Sequence, residues 1–272
     1  MDGAVGLDHV HVPAPVAQGL GQHVAGLGGS GEQHPAAAGR RVGEDLEQAL
    51  GHESLGDEVG FDVARPQGVS ETQAEQQFQS YDTNNTGSLT DAQLADYVLG
   101  CDAVVSCLGH VISFRGIFGA PRKLCTEAVQ RLCLAIEANK PVSPVRFILM
   151  NTVGVANPEQ GERRTWPEKG VLTLLRWCIP PHVDNELAAN HLENEVGSSN
   201  DYVQWCSVRP DSLIDENVST YDVVASPVTG IFSGRPTTRA NVAHFMLELV
   251  DSDDLWDTWK YKMPVIMNSL GS

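Results

Sequence analysis

The sequence has no long apolar run, few basic residues and no closely spaced cysteines, and each absence argues against a class of protein. No segment approaches the about 18 consecutive apolar residues that a transmembrane helix needs. The formal net charge of -17 disfavours binding to nucleic acid or to an anionic membrane, because both require a basic surface. The six cysteines form no C-x-x-C motif, which disfavours a zinc site and a disulfide framework. The N-terminus lacks the basic and apolar segments of a secretory signal, so we expect a cytosolic protein.

Residues 1–88 differ in composition from the rest of the chain. They hold 15 of the 26 glycines, 13 acidic but only 3 basic residues, and no Ile, Lys, Trp or Cys. Packed strands are normally rich in β-branched and aromatic residues, so we expect this region to be poorly folded. Two interpretations remain open: a flexible acidic extension, or the product of a wrong reading frame or gene start. The composition predicts two units, residues 1–88 and a folded domain over 89–272.

Strand-like and helix-like segments alternate in this second unit. Residues 102–108 form a short β-branched run that ends at Gly109, and residues 145–152 form the next strand-like run, which Gly154 breaks. Such short apolar runs are typical of buried parallel strands. Apolar residues at helical spacing predict a helix between them, which begins at Pro121 and ends near Asn139. The later predicted elements are a helix over 183–196, a strand over 202–208 that runs into Arg209-Pro210, a helix from about Thr238 and a strand over 264–267. This alternation predicts an α/β fold with a doubly wound parallel sheet.

Four segments of the second unit resemble the atypical short-chain dehydrogenase/reductases, a family of NAD(P)-binding proteins. They are LTDAQLADYVLGCDAVVSCLGH (89–110), FILMNTVGV (147–155), VRPDSLID (208–215) and TTRANVAHFMLELV (237–250). In order and spacing they are similar to the family's fourth, fifth and sixth strands and its late R-x-x-V-A helix. The resemblance implies a Rossmann-like sheet, NAD or NADP as cofactor, a small-molecule substrate and an oxidoreductase activity.

The resemblance also implies which residues face the cofactor and the substrate. The loop after the fourth strand would lie against the adenosine side of the dinucleotide, and the sixth strand would end near the nicotinamide. The cofactor-binding residues implied in this way are Ser106, Cys107, Leu108, Gly109, Met150, Asn151, Arg209 and Pro210. Thr152 is the nearest equivalent of the family's hydroxyl residue after the fifth strand and is a candidate catalytic residue. The alternatives are structural: strand termination for Gly109, packing for Thr152 and an ion pair for Arg209.

The family's glycine-rich phosphate loop has no clear counterpart here. It should fall within residues 1–88, where residues 26–31 match G-x-G-x-x-G but follow no convincing strand. Pro35 interrupts the helix that such a loop should open, so we interpret this match as chance. Without that loop, the dinucleotide would lose its main anion-binding element.

The family's Tyr-x-x-x-Lys pair is also absent. The corresponding segment reads HVDNE (182–186), with glutamate where the family has lysine. His182 is the second candidate catalytic residue, because imidazole titrates closest to neutral pH, and a structural histidine is the alternative. We expect no metal site, since helical spacing aligns His182 with Glu186 but not with His191.

A competing motif spans the boundary between the two units. Residues 82–93 resemble the first part of an EF-hand calcium loop, with Asp82, Asn84 and Thr86 at positions 1, 3 and 5. Position 12 is Gln93, and an amide cannot supply the bidentate carboxylate that the loop needs, so we interpret the segment as a polar turn. Beside the oxidoreductase, two functions therefore stay open: a non-catalytic dinucleotide-sensing or protein-interaction module, and a calcium-responsive protein.

Overall fold

The computed structural model describes residues 9–12, 90–110, 114–119, 122–157, 180–225 and 235–269, together with residues 162, 166, 168, 170, 171 and 176. The glycine-rich segment 26–31, calcium-loop positions 82–89 and Pro121 lie outside these residues. Within them, no helix is both long and apolar enough to cross a membrane.

The described elements alternate between strands and helices, as the sequence pattern predicts. The strands are β1 (His9–Val12), β2 (Ala103–Ser106), β3 (Val145–Met150), β4 (Val203–Pro210), β5 (Leu213–Ile214), β6 (Tyr221–Val224), β7 (Thr237–Thr238) and β8 (Val265–Asn268). The α-helices are α1 (Asp91–Tyr97), α2 (Phe114–Phe118), α3 (Leu124–Asn139), α4 (Pro180–Asn190), α5 (Arg239–Asp251) and α6 (Asp253–Trp259). A π-helical segment, His191–Val196, continues α4.

The main sheet has the strand order β1-β6-β8-β4-β3-β2. Strands β2, β3, β4 and β8 are parallel neighbours, which confirms the predicted parallel sheet of Rossmann-like type. Strand β6 is antiparallel to β8 and to β1, an arrangement that the sequence pattern did not predict. The reason is the short connection from β4 to β6, residues 211–220, because a parallel crossover needs about a dozen residues or more.

Helices cover both faces of the sheet, and each face has its own apolar core. Along β3 the side chains alternate: Phe147 and Leu149 pack with α3, whereas Ile148 packs with α5 and α6 on the opposite face. Four apolar residues at helical spacing on α5 are all fully buried, namely Val242, Phe245, Met246 and Leu249. The sheet is therefore doubly wound, as expected.

Both strands that lead to the predicted site are shorter than the sequence indicates. Strand β2 ends at Ser106 rather than at residue 108, and β3 ends at Met150 rather than at residue 152. After β3 the Asn151 side chain accepts a hydrogen bond from the backbone N–H of Thr152, so a local turn replaces the strand. The candidate residues Leu108 and Thr152 consequently lie in loops at the carboxyl edge of the sheet.

Candidate functional site

The strand register brings the loops after β2 and β3 to one edge of the sheet. Ser106 is opposite Leu149, and Met150 is opposite Val208. Since the strands are parallel, the segments that follow them leave the sheet at its carboxyl edge, where α/β proteins bind their ligands. This edge is the candidate functional site.

Open space lies beside Gly109, in the loop after β2. Gly109 is exposed, and a Cβ atom added to it would meet no atom within 4 Å among the described residues. Next to it, the Leu108 carbonyl accepts a hydrogen bond from the Cys125 thiol at 3.3 Å. Burial, and secondarily the Asp184 charge, raises the pKa of Cys125 to about 12, so the sulfur keeps its proton. The loop is thus anchored at Leu108 and open beside Gly109.

Asn151 joins the end of β3 to helix α4. Its Nδ2 donates to the Asn185 carbonyl at 3.1 Å, and its Oδ1 accepts from the Thr152 N–H at 2.9 Å. The Thr152 hydroxyl in turn accepts a bond from the Gly154 N–H at 3.3 Å. Because the Thr152 oxygen acts as an acceptor in this bond, its own proton remains available as a donor.

The structure brings the two candidate catalytic residues, Thr152 and His182, to the same place. A Cβ atom on Gly154 would lie 3.3 Å from Cε1 of His182 and 3.7 Å from Cγ2 of Thr152. His182 Nε2 is 3.5 Å from the Glu186 carboxylate, which also accepts a hydrogen bond from Arg176 Nε at 2.6 Å. Their catalytic roles remain predictions.

The predicted cofactor residue Arg209 has a fully buried side chain. Its Nε donates to the Met263 carbonyl at 2.8 Å, its Nη1 to the Val155 carbonyl at 2.6 Å, and its Nη2 to the Ala225 carbonyl at 3.3 Å. Nη1 also forms an ion pair with the buried Glu162 carboxylate at 2.8 Å. These contacts match the ion-pair alternative considered for Arg209, and a role in cofactor binding stays a prediction.

The remaining predicted cofactor residues lie at the carboxyl edge of the sheet and differ in their solvent exposure. Ser106 and Pro210 are buried, whereas Cys107 and Met150 are partly buried against the core that α5 and α6 cover. The Pro210 carbonyl accepts a bond from the Val153 N–H at 3.0 Å, which fixes β4 to the loop after β3. Their part in cofactor binding stays a prediction.

A cluster that the sequence analysis missed joins the loop after β2 to two helices. The Asp184 carboxylate, on α4, accepts from the backbone N–H groups of Cys125 and Thr126 at 2.8 and 3.0 Å. Asp184 Oδ2 lies 2.8 Å from His110 Nε2, and Asp184 Oδ1 lies 2.5 Å from the Thr126 hydroxyl. We call these four residues the Asp184 cluster. The N-cap position of α3, Lys123, forms no side-chain capping bond, so Asp184 satisfies amides that the helix itself leaves open.

Hydrogen bonds keep the Asp184 carboxylate ionised although it is buried. Burial alone would raise the pKa of Asp184, but the bonds from Thr126, His110 and Cys125 outweigh it and lower the pKa below its ordinary value. An ionised carboxylate only accepts hydrogen bonds, so His110 Nε2 must carry the proton in their contact. The only sequence signal for this arrangement is that Lys123, at the N-cap position of α3, is not a capping residue. That signal does not reveal which residue supplies the cap.

Potential metal ligands meet in the Asp184 cluster. One donor atom each from His110, Cys125 and Asp184 lies within 4.8 Å of the others. However, two backbone N–H groups of α3 already bind the carboxylate, and the positive end of the helix dipole disfavours a cation there. We therefore interpret the cluster as a capped helix start, and the expected absence of a metal stays a prediction.

Gln93, which occupies position 12 of the calcium motif, contributes to a helix cap. Thr90 and Gln93 form a capping box at the start of α1, in which Gln93 Oε1 accepts from the Thr90 N–H at 2.8 Å. This contact agrees with a polar turn before a helix.

A comparison with known protein families indicates which cofactor this chain binds. A family model described as NAD(P)H-binding matches residues 37–253. The chain belongs to this NAD(P)H-binding family. The match agrees with the resemblance to atypical short-chain dehydrogenase/reductases and with NAD or NADP as the cofactor, and it begins within residues 1–88. A search of curated proteins finds none that matches.

Several solved structures are similar to this member of the NAD(P)H-binding family. A short-chain dehydrogenase/reductase from Veillonella parvula DSM 2008 in complex with NADP is 15% identical, with 67% of this chain and 69% of that chain covered and a TM-score of 0.43. A Rossmann-fold NAD(P)-binding family protein from Shigella flexneri is 18% identical (69% and 73% covered, TM-score 0.42). The anaerobillin reductase ChuY from Escherichia coli O157:H7 is 14% identical (71% and 82% covered, TM-score 0.45).

Proposed function

We propose that this chain is an oxidoreductase that binds NAD or NADP across the carboxyl ends of β2, β3 and β4. The observation that supports it most is the match to an NAD(P)H-binding family over residues 37–253. The open space beside Gly109 lies at the same sheet edge as the Thr152 and His182 side chains. A dinucleotide along this edge would have its adenosine side near Gly109 and its nicotinamide near Thr152.

The proposed chemistry divides between the cofactor and two side chains. When bound, the nicotinamide would supply a hydride to the substrate or accept one from it. The Thr152 hydroxyl would donate a hydrogen bond to the reacting oxygen of the substrate, and His182 would exchange a proton with that oxygen. Glu186, 3.5 Å from His182 Nε2, would stabilise the positive charge of a protonated imidazole. A non-catalytic dinucleotide sensor would use the same binding edge without this proton exchange.

A valine at Gly109 tests where the dinucleotide binds. Calorimetric titration with NADH and NADPH should give at least about tenfold weaker binding for Gly109→Val than for the wild type, because the branched side chain would occupy the space of the ligand. Thermal unfolding should stay unchanged, since no described atom lies within 4 Å of the added Cβ. Equal affinities in the two proteins would contradict the placement of the cofactor.

Catalysis and sensing are distinguished by the fate of the reduced cofactor. An oxidoreductase oxidises NADH or NADPH when a panel of small carbonyl substrates is added, whereas a sensor binds the cofactor and leaves it reduced. Loss of this oxidation in His182→Ala, with cofactor affinity retained, would support His182 as the proton donor.

A cytosolic location is part of the same proposal. Cys101, Cys125, Cys133 and Cys206 are free thiols. Free thiols agree with a reducing compartment.

A further inference from the structure

The buried carboxylate of Asp184 connects the loop after β2 to α4, the helix that carries the candidate proton donor His182. His110 follows Gly109 directly, and Asp184 is two residues beyond His182 on α4. The side chains of His110 and Asp184 are 6% and 0% exposed, and their polar atoms are 2.8 Å apart. A displacement of either side chain would therefore change the geometry of both the loop after β2 and helix α4.

We propose that Asp184 is a positioning residue, which holds His110 and the adjoining loop 106–109 in the geometry that binds the dinucleotide. The inference rests on the proposed function and extends it to a residue that touches neither cofactor nor substrate. Capping α3 alone does not require a carboxylate, because a serine or threonine hydroxyl can cap a helix without a buried charge. The ionised group adds a charge-assisted hydrogen bond to His110, and such bonds are stronger than neutral ones.

The geometry fixes which nitrogen of His110 carries the proton. Because Asp184 Oδ2 is an acceptor, a neutral His110 must have its proton on Nε2. In Asp184→Asn, one of the two oxygens becomes an N–H₂ group, which can only donate, so either the Cys125 N–H or the Thr126 N–H loses its acceptor. The amide can accept from His110 Nε2–H in one orientation and donate to Nε2 in the other, so it no longer fixes the proton of His110 on Nε2.

The test combines nuclear magnetic resonance with cofactor titration. In the full-length protein labelled with ¹⁵N-histidine, the imidazole nitrogen shifts should show Nε2–H for His110 in the wild type and a smaller fraction of that tautomer in Asp184→Asn. The same substitution should weaken binding of NADH or NADPH by about tenfold or more, the effect of losing one charge-assisted hydrogen bond.

Thr126→Ala is the matched control for stability. It removes the hydroxyl 2.5 Å from Asp184 Oδ1 but keeps the carboxylate, the two backbone bonds and the contact with His110. We expect this variant to be less stable than the wild type, with the Nε2–H form of His110 and the cofactor affinity both unchanged. A purely structural role of Asp184 predicts instead that affinity falls with stability in both variants.

A second pair of variants keeps the test decisive if Asp184→Asn does not fold. His110→Ala leaves the helix cap in place and should weaken cofactor binding about tenfold, whereas His110→Gln, whose amide can donate to Asp184, should recover part of the loss. Wild-type affinity in His110→Ala, or in a folded Asp184→Asn, would overturn the positioning role and leave the proposed function intact. A wild type that binds neither NADH nor NADPH would overturn both.

Discussion

Two buried charges lie near the carboxyl edge of the sheet, and their surroundings are opposite. Arg209 is a cation held by three backbone carbonyls and Glu162, whereas Asp184 is an anion held by two backbone amides, Thr126 and His110. Each offsets the loss of hydration with hydrogen bonds to main-chain groups of matching polarity. The same physical solution therefore occurs at two places in the site.

The difference lies in what the two charges hold together. Arg209 joins β4 to the segments after β3 and β6 and before β8, through Val155, Ala225 and Met263. Asp184 joins the loop after β2 to α3 and α4 through His110 and Cys125. We infer that Arg209 chiefly stabilises the fold, while Asp184 also shapes the binding edge.

The largest effect is expected for Arg209→Met. Methionine approximates the length of the side chain but leaves three carbonyls and the Glu162 carboxylate without the guanidinium. Breaking a buried ion pair by removing one partner costs about 3–5 kcal/mol, so urea unfolding should show a loss of this order. Arg209→Lys, which keeps the charge but not the planar set of donors, should fall between the two proteins.

A different result would reverse the comparison between the two charges. If Arg209→Met unfolds at the wild-type urea concentration but no longer binds NADH or NADPH, Arg209 is a cofactor residue and not a structural one. Such an outcome would support the role that the family resemblance implies.

The sequence predicts the framework of the sheet better than the contacts of the site. The β-branched runs predict β2 and β3, and the spacing of Val242, Phe245 and Leu249 predicts α5, because burial of one face leaves a periodic trace. The antiparallel β6 left no such trace. Its direction depends on the length of a connection rather than on its own four residues.

The contacts within the site depend on residues that are distant in sequence. Asp184 caps a helix that begins 60 residues earlier, at Leu124, and local patterns contain no information on that distance. Separate sequence signals indicate Thr152 and His182, and only the fold shows that both border Gly154. The Arg-Pro motif indicates Arg209 as a candidate cofactor residue, but a motif cannot show that the side chain is completely buried.

A smaller effect, dependent on pH, is expected for Asp184. Its pKa in the folded protein is below the ordinary value, which is about 3.9 in an unfolded chain. The stability it contributes is therefore fully present above about pH 4 and is lost as the pH falls through the folded pKa. Urea unfolding should show Asp184→Asn to be less stable than the wild type by roughly 1.5–3 kcal/mol at pH 7, since a hydrogen bond to a charged group is lost.

The pH profile distinguishes this loss from a general packing defect. Asparagine resembles a protonated aspartate, so the difference in unfolding free energy between the two proteins should shrink below pH 4. A difference that stays constant down to pH 3 would contradict an ionised Asp184 in the folded protein.

The smallest effect on the unfolding free energy is expected for a solvent-exposed ion pair. Asp91 Oδ1 lies 2.9 Å from Arg131 Nε, a distance similar to the contacts of Arg209 and Asp184, but the Asp91 side chain is 88% exposed. Water already solvates both charges, so Asp91→Asn should change the unfolding free energy by less than about 1 kcal/mol and leave cofactor affinity unchanged. Urea unfolding at low and high salt checks this, because screening should reduce even that small difference. A loss as large as that of Arg209→Met would show that distance, rather than burial, determines what these charges contribute, and the contrast between buried and exposed pairs would then fail.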